Sequence, residues 1–200
     1  MMDGKPEGLR ERKRKETLER IARTGLKLFI ENGYDETTLE AIAAAAGISR
    51  RTFFYYFKSK EDVLLAHDRS NFMEVLRPAI LAEPSDAGPI DVARKCLLAF
   101  ASQYETKESI IVDRLLRSTE ALRLRKEAHF VEFEHELAEI FYTKWPAAER
   151  RDSLRVAAML VMGTLRLALD AWREKGGKRS LAGQIARSFD LLESLMSPVP

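Results

Sequence analysis

Apolar residues in this chain recur at spacings of three and four along nearly its whole length, and no segment alternates β-branched with polar residues. That periodicity suits helices and leaves nothing to pair as strands, so an all-α fold is predicted. A first helix is expected over 9–32, with Leu18, Ile21, Ala22, Gly25, Leu28 and Phe29 on one face and Gly33 as its stop. A short second helix follows Thr37 and Thr38, either of which can cap it, and Thr37 with Glu40 fits a capping box. Leu39, Ile42, Ala43 and Ala46 form its apolar stripe. Gly47 breaks it, and Ser49 is suited to cap a third helix through about Tyr56. Ser59 with Asp62 opens a fourth, expected to end at Pro78 because proline cannot donate into the helical ladder. After a Pro, Ser and Gly-rich loop at 82–89, longer helices are expected over 90–104, 108–118, 121–145, 147–174 and 181–196. Gly176 and Gly177 separate the last two.

The helix over 147–174 is apolar on two sides. Leu154, Ala157, Ala158, Val161, Leu165 and Ala168 mark one stripe, while Val156, Leu160, Gly163, Leu167 and Trp172 mark another. The final helix offers Ile185, Phe189, Leu192 and Met196 beside Ala182, Ala186 and Leu195. A helix with two apolar faces must be buried on both. Either such a helix is central to the core, or one face meets a second subunit, since a 200-residue chain has little else to cover it.

Composition narrows the class. At 46% hydrophobic and 32% charged, 200 residues can build one core of ordinary size or two small ones, which excludes intrinsic disorder. The longest apolar run, residues 156–165, falls short of the roughly 18 a membrane span needs. No charged-then-apolar leader opens the chain, and Cys96 is the single cysteine, so no membrane association and a reducing, cytoplasmic setting are expected. The formal net charge of +2 is uneven: residues 1–60 hold 13 Lys or Arg against 9 Asp or Glu, and residues 61–200 hold 20 against 22. A basic head on a slightly acidic body points to a polyanion partner for the head.

The segment 37–60 has the spacing of a helix-turn-helix, in which the start of the second helix enters the major groove. Ser49, Arg50, Arg51 and Thr52 supply donors for phosphates and guanine edges, and Phe54, Tyr55 and Tyr56 add apolar and hydroxyl contacts. Phe53 and Phe57, four apart, should face the core. Adjacent helical residues diverge by about 100°, so one of Arg50 and Arg51 is expected to read a base and the other a phosphate. The basic run Arg10, Arg12, Lys13, Arg14 and Lys15 is either a solvated helix start or an arm that follows the DNA backbone.

The run from Gly47 through Ile48, Ser49, Arg50, Arg51, Thr52, Phe53, Phe54, Tyr55, Tyr56, Phe57, Lys58, Ser59 and Lys60 to Glu61, preceded by Thr37-Thr38-Leu39-Glu40-Ala41-Ile42-Ala43, resembles the DNA-binding domain of the TetR family of bacterial transcriptional regulators. The resemblance covers residues 17–65. It implies a helix-turn-helix domain over 1–60 and a helical regulatory and dimerisation domain over 61–200. It further implies a homodimer on a palindromic double-stranded operator, released by a small molecule bound in the body, and therefore a repressor. Thr38 and Lys60 match the family's flanking backbone contacts, and Ser49 to Thr52 with Phe54, Tyr55 and Tyr56 match its recognition helix. Arg50, Arg51 and the Phe53-Phe54 pair depart from the usual residues, and Phe54 exchanges a phosphate bond for a surface suited to a thymine methyl. Dimerisation is assigned to Val161, Leu165, Ala168 and Trp172 with Ile185, Phe189 and Leu192.

An effector pocket is expected among Phe100, Tyr104, Phe130 and Phe133, with Arg117 to orient a ligand. Neither G-x-S-x-G nor H-E-x-x-H nor a phosphate-binding Gly-rich loop occurs, so no enzymatic activity, cofactor or metal is expected. Glu132 and His135 have a di-iron spacing without a second copy. A helical enzyme and a protein-interaction module are the competing classes.

Overall fold

A hydroxyl side chain starts most of the helices. In the computed structural model, which describes residues 8–175 and 179–196 apart from the side chains of 67–71, 102, 103, 107 and 108, every regular element is helical. In chain order they are α1 (Leu9–Asn32), α2 (Leu39–Ala45), α3 (Arg50–Tyr56), α4 (Lys60–Ala82), α5 (Pro89–Tyr104), α6 (Lys107–Leu116), α7 (Glu120–Lys144), α8 (Arg151–Glu174) and α9 (Leu181–Met196), with a 3₁₀ turn at Ala148–Arg150 before α8. Thr38, Ser49, Ser59, Thr106 and Thr119 each accept the backbone N–H three residues on, which starts α2, α3, α4, α6 and α7. Each such cap is worth about 1 kcal/mol. The second helix is capped by Thr38 alone. Thr37 is buried, and its hydroxyl donates to the carbonyls of Leu28 and Gly33, so the capping box with Glu40 does not form.

The fourth helix does not end at Pro78. It continues to Ala82 with Pro78 inside it, because Leu76 and Ile80 on either side of the proline are fully buried. Burying two large aliphatic side chains is worth about 1.5–3 kcal/mol each, enough to offset the roughly 3 kcal/mol that an interior proline costs. The glycine separator at 176 and 177 lies outside the described residues.

Two apolar cores follow. In the first, Ile21, Leu26 and Phe29 of α1, Ile42 of α2, and Phe53 and Phe57 around α3 pack on Val63, Leu64 and Leu65 of α4. Val112 and Leu116 of α6 and Leu122 of α7 close it. The second core is built by the rest of α4 with α5, α7, α8 and α9, in which α8 packs between α7 and α9. The core of the helix-turn-helix head therefore extends past residue 60, and α4 runs through both cores as a shared strut.

Candidate functional site

The head exposes one short helix end. Gly47 adopts φ +66°, a left-handed turn conformation open to glycine, and this lets Ser49 begin α3 at once. The Ser49 hydroxyl accepts the Thr52 N–H at 3.0 Å and lies 2.8 Å from the Thr52 hydroxyl. Phe53 and Phe57 are buried, as their spacing predicted, and they turn Arg50, Arg51, Phe54 and Tyr55 outward. Phe54 is 42% and Tyr55 69% exposed, a large apolar display for residues unpaired with any core. Tyr56 is half-buried against the head core, with its ring edge-on to Tyr55 at 5.1 Å. The two arginines differ in their surroundings. The Arg50 guanidinium lies 3.3 Å from Glu40 of α2 and 5.6 Å from the Phe54 ring, whereas Arg51 is exposed with no ion pair among the described residues.

Lys60 is turned inward. Its ammonium donates to the carbonyls of Tyr34 and Asp35 at 2.8 and 3.2 Å and lies 4.5 Å from the Tyr34 ring centre, so it ties the start of α4 to the turn between α1 and α2. A cation in the first turn of a helix is electrostatically misplaced, and two carbonyls with an aromatic face satisfy it better than water alone. Of the basic run in α1, Arg12 pairs with Glu16, Arg14 with Glu11, and Lys15 with Glu74 of α4 at 2.6 Å.

The head is bolted to the body close to α3. Arg125 of α7 donates to Asp62 at 2.5 Å and to Ser59 at 3.4 Å, and the other Asp62 oxygen accepts the Lys58 N–H. Beneath this clamp lies a buried ion cluster. Asp113 of α6 meets Lys126 of α7 at 2.7 Å and Arg173 of α8 at 2.6 and 3.0 Å. Burial alone would raise the Asp113 carboxyl, but the adjacent Lys126 and Arg173 outweigh it and hold it below its ordinary range.

Next to the cluster a narrow apolar cleft with a cavity volume of about 50 Å³ runs between α4, α5, α7, α8 and α9. Phe100, Tyr104, Phe130 and Phe133 line it, together with Phe72, which the sequence did not single out. Arg117 does not line it: its guanidinium sits 3.3 Å from Asp113 Oδ2 and is partly exposed to solvent. The cation that reaches the cleft is Lys126, which sequence reading missed because a lysine on a helix usually marks the solvent side. Cys96 is buried in the body core, and burial pushes its thiol pKa up, away from reactivity. His129 edges onto Phe133, and among the described residues no group of three or more His, Cys, Asp or Glu is arranged to hold a metal ion.

The assigned dimerisation residues are corrected by packing. Val161, Leu165, Ala168, Trp172, Ile185 and Phe189 are buried in the chain's own core and Leu192 is half-buried against it, because α5 and α7 cover that side of α8 and α9. The uncovered apolar face takes in part of the other stripe of α8, without Trp172, and the end of α9. Val156, Met159 and Leu167 of α8 and Leu191, Leu195 and Met196 of α9 are all exposed by half or more. Gly163 lies within this stripe, and nothing stands within 4 Å of where its Cβ would be.

Residues 21–67 match the family described as "Bacterial regulatory proteins, tetR family". The HTH-type transcriptional regulator TcmR of Streptomyces glaucescens is 40% identical over 83 residues, 42% of this chain and 36% of that protein, so the match spans about a third of this curated relative. The fatty acid metabolism regulator protein of Bacillus subtilis is 25% identical over 189 residues, covering 90% of this chain and 93% of that one. Among solved structures, FadR of Thermus thermophilus, a TetR-family transcriptional repressor in complex with lauroyl-CoA, superposes with a TM-score of 0.62 at 25% identity, over 92% of this chain and 98% of that one. No described helix is long and apolar enough to cross a membrane.

Proposed function

We propose, from the premise that this chain belongs to the TetR family of bacterial regulators, that it is a repressor that leaves a palindromic operator when a small molecule binds its body. The observation that carries this reading is the outward face of α3. With Phe53 and Phe57 locked below, Arg50, Arg51, Phe54 and Tyr55 project together from the exposed side of α3. Such an end fits the major groove, with Arg51 donating to a guanine edge, Phe54 against a thymine methyl, and Ser49, Thr52 and Tyr55 on phosphates. Thr38 and Tyr56 flank that face and suit the neighbouring backbone.

Two copies join through the exposed stripe of α8 and α9, which gives a two-fold pair of recognition helices in the cytoplasm. Gly163 in that stripe would let two α8 helices approach closely. Residues 1–60 form the reading head and residues from 61 on the regulatory body, with α4 common to both. The aromatic cleft is the effector site, and the lauroyl-CoA held by the Thermus repressor supports an effector with a large apolar part. A bound effector acts by favouring a subunit geometry whose recognition helices no longer match the half-sites.

Selection of the full-length protein against random duplex DNA tests this reading. The expected product is a two-fold symmetric sequence with half-sites about one helical turn apart. Enrichment of an asymmetric sequence would remove the paired-helix mechanism, and no enrichment would remove DNA recognition itself.

A further inference from the structure

One buried ion pair of the cluster, Lys126 with Asp113, borders the cleft. Among the described residues three cations, Lys126, Arg173 and Arg117, meet the carboxylate of Asp113; Arg173 also pairs with Asp170, and the Arg117 side chain is 45% exposed to solvent, which leaves Lys126 and Arg173 as the buried cations. The Lys126 side chain is only 8% exposed, and it is the member of the cluster that borders the cleft. Apart from Lys126 and His129, the side chains that line the cleft are aromatic or aliphatic, save the Tyr104 hydroxyl. Lys126 keeps its charge in this apolar setting through its pairing with Asp113, and an anion at the cleft would compete for that pairing. The open side of Lys126 is the cleft.

Asp113 could release Lys126 without becoming an unpaired charge, because Arg173 holds both of its oxygens and Arg117 approaches one. What would change is the bond between α6 and α7. Asp113 is followed along α6 by Leu116 and preceded by Val112, both in the core of the DNA-binding head. Lys126 follows Arg125, whose clamp on Asp62 and Ser59 fixes the segment after the recognition helix. One ionic contact thus lies between the cleft and both supports of the head.

We propose that Lys126 makes this cleft selective for an apolar, aromatic-compatible molecule carrying one anionic group, and that the anion takes Lys126 from Asp113 and so loosens α6 from the head. The proposal rests on the reading of the cleft as the effector site. An anionic effector gains a charge-assisted bond in a low-dielectric setting, and a neutral molecule of the same shape would have to leave that bond with Asp113.

The test uses two fluorescent probes that share a ring system, 8-anilinonaphthalene-1-sulfonate and neutral N-phenyl-1-naphthylamine, on the full chain. The anion is expected to bind wild type about tenfold more tightly than the neutral probe, the size of one charge-assisted hydrogen bond. Lys126→Met should abolish that preference and leave the neutral probe's affinity within about twofold, while Lys126→Arg should keep the preference. Hydrogen exchange across residues 109–116 should quicken with the anion bound and not with the neutral probe. Equal binding of both probes to wild type, or an anion preference that survives in Lys126→Met, would overturn the selectivity while leaving the cleft as an effector site. Unchanged exchange in α6 with the anion bound would overturn the coupling. If neither probe binds, the effector-site reading fails and this proposal with it.

Discussion

Arg51 and Asp113 show how far one side chain's role depends on what surrounds it. Arg51 is exposed at the first turn of α3 and has no ion pair to give up, while Arg50 is already engaged with Glu40 and Phe54. Arg51→Ala is therefore expected to cost roughly 1–3 kcal/mol of specific DNA affinity and to relax the preference at one base pair, read by competition between matched and mutated operators. Arg50→Ala should cost less, and the reverse order would reassign the base contact. Lys60 anchors the turn between α1 and α2, with two of its three donors on carbonyls. Lys60→Ala is expected to lower the denaturation midpoint and leave the salt dependence of DNA binding unchanged; a salt slope reduced by about one would show a phosphate contact instead. Asp113 is buried with its carboxyl held below the ordinary range, so the stability it contributes is present above that range and is lost as pH falls through the depressed folded value. Asp113→Asn should cost about 3–5 kcal/mol at neutral pH, and its deficit relative to wild type should shrink under acid titration. A deficit independent of pH would remove the carboxylate from the account.

At the scale of elements, the starts of the helices were readable because a capping hydroxyl is a local event: Ser49, Ser59 and Thr38 act within three residues of themselves. The end of α4 was not, because the fate of Pro78 is decided by Leu76 and Ile80 reaching a core assembled from α5, α7, α8 and α9. The crossing of α1 and α4 is another contact that no periodicity reveals. A Cβ on Gly25 would lie 2.4 Å from Val63 Cγ1, and both residues are buried with the β-branched valine unable to swing aside. Gly25→Ala is expected to destabilise the head by about 1–3 kcal/mol despite the helix propensity it gains, measured by chemical denaturation. A stabilised variant would mean that the two helices can separate freely.

For the whole molecule, the question is which apolar face stays outside. Leu167 is 66% exposed in the middle of α8 and Val156 and Met159 extend the same face, while Leu191 and Leu195 continue it on α9. Exposed apolar side chains of this kind are what the proposed joining of two copies would bury. Leu167→Glu is expected to convert the protein to a monomer in sedimentation and to abolish binding to a palindromic operator, with the helical signal retained. A dimer that survives this change would move the interface elsewhere. Leu165→Glu would instead unfold the body, since Leu165 faces the chain's own core.

The sequence by itself determined the helical class, most element boundaries, the short helix α3 with its Ser49 cap and the inward turn of Phe53 and Phe57, because spacing and capping act over three or four residues. It also marked four of the five residues assigned to the cleft, Phe100, Tyr104, Phe130 and Phe133, through their aromatic size. Tertiary structure alone decided which stripe of α8 is core and which is free, since periodicity counts faces without saying what covers them. It alone turned Lys60 inward and carried Lys126 to the wall of an apolar cleft. Those outcomes depend on partners 13 to 26 positions away in the chain, at Asp113 for Lys126 and at Tyr34 and Asp35 for Lys60. Charge reveals its function through its neighbours, and only folding supplies them.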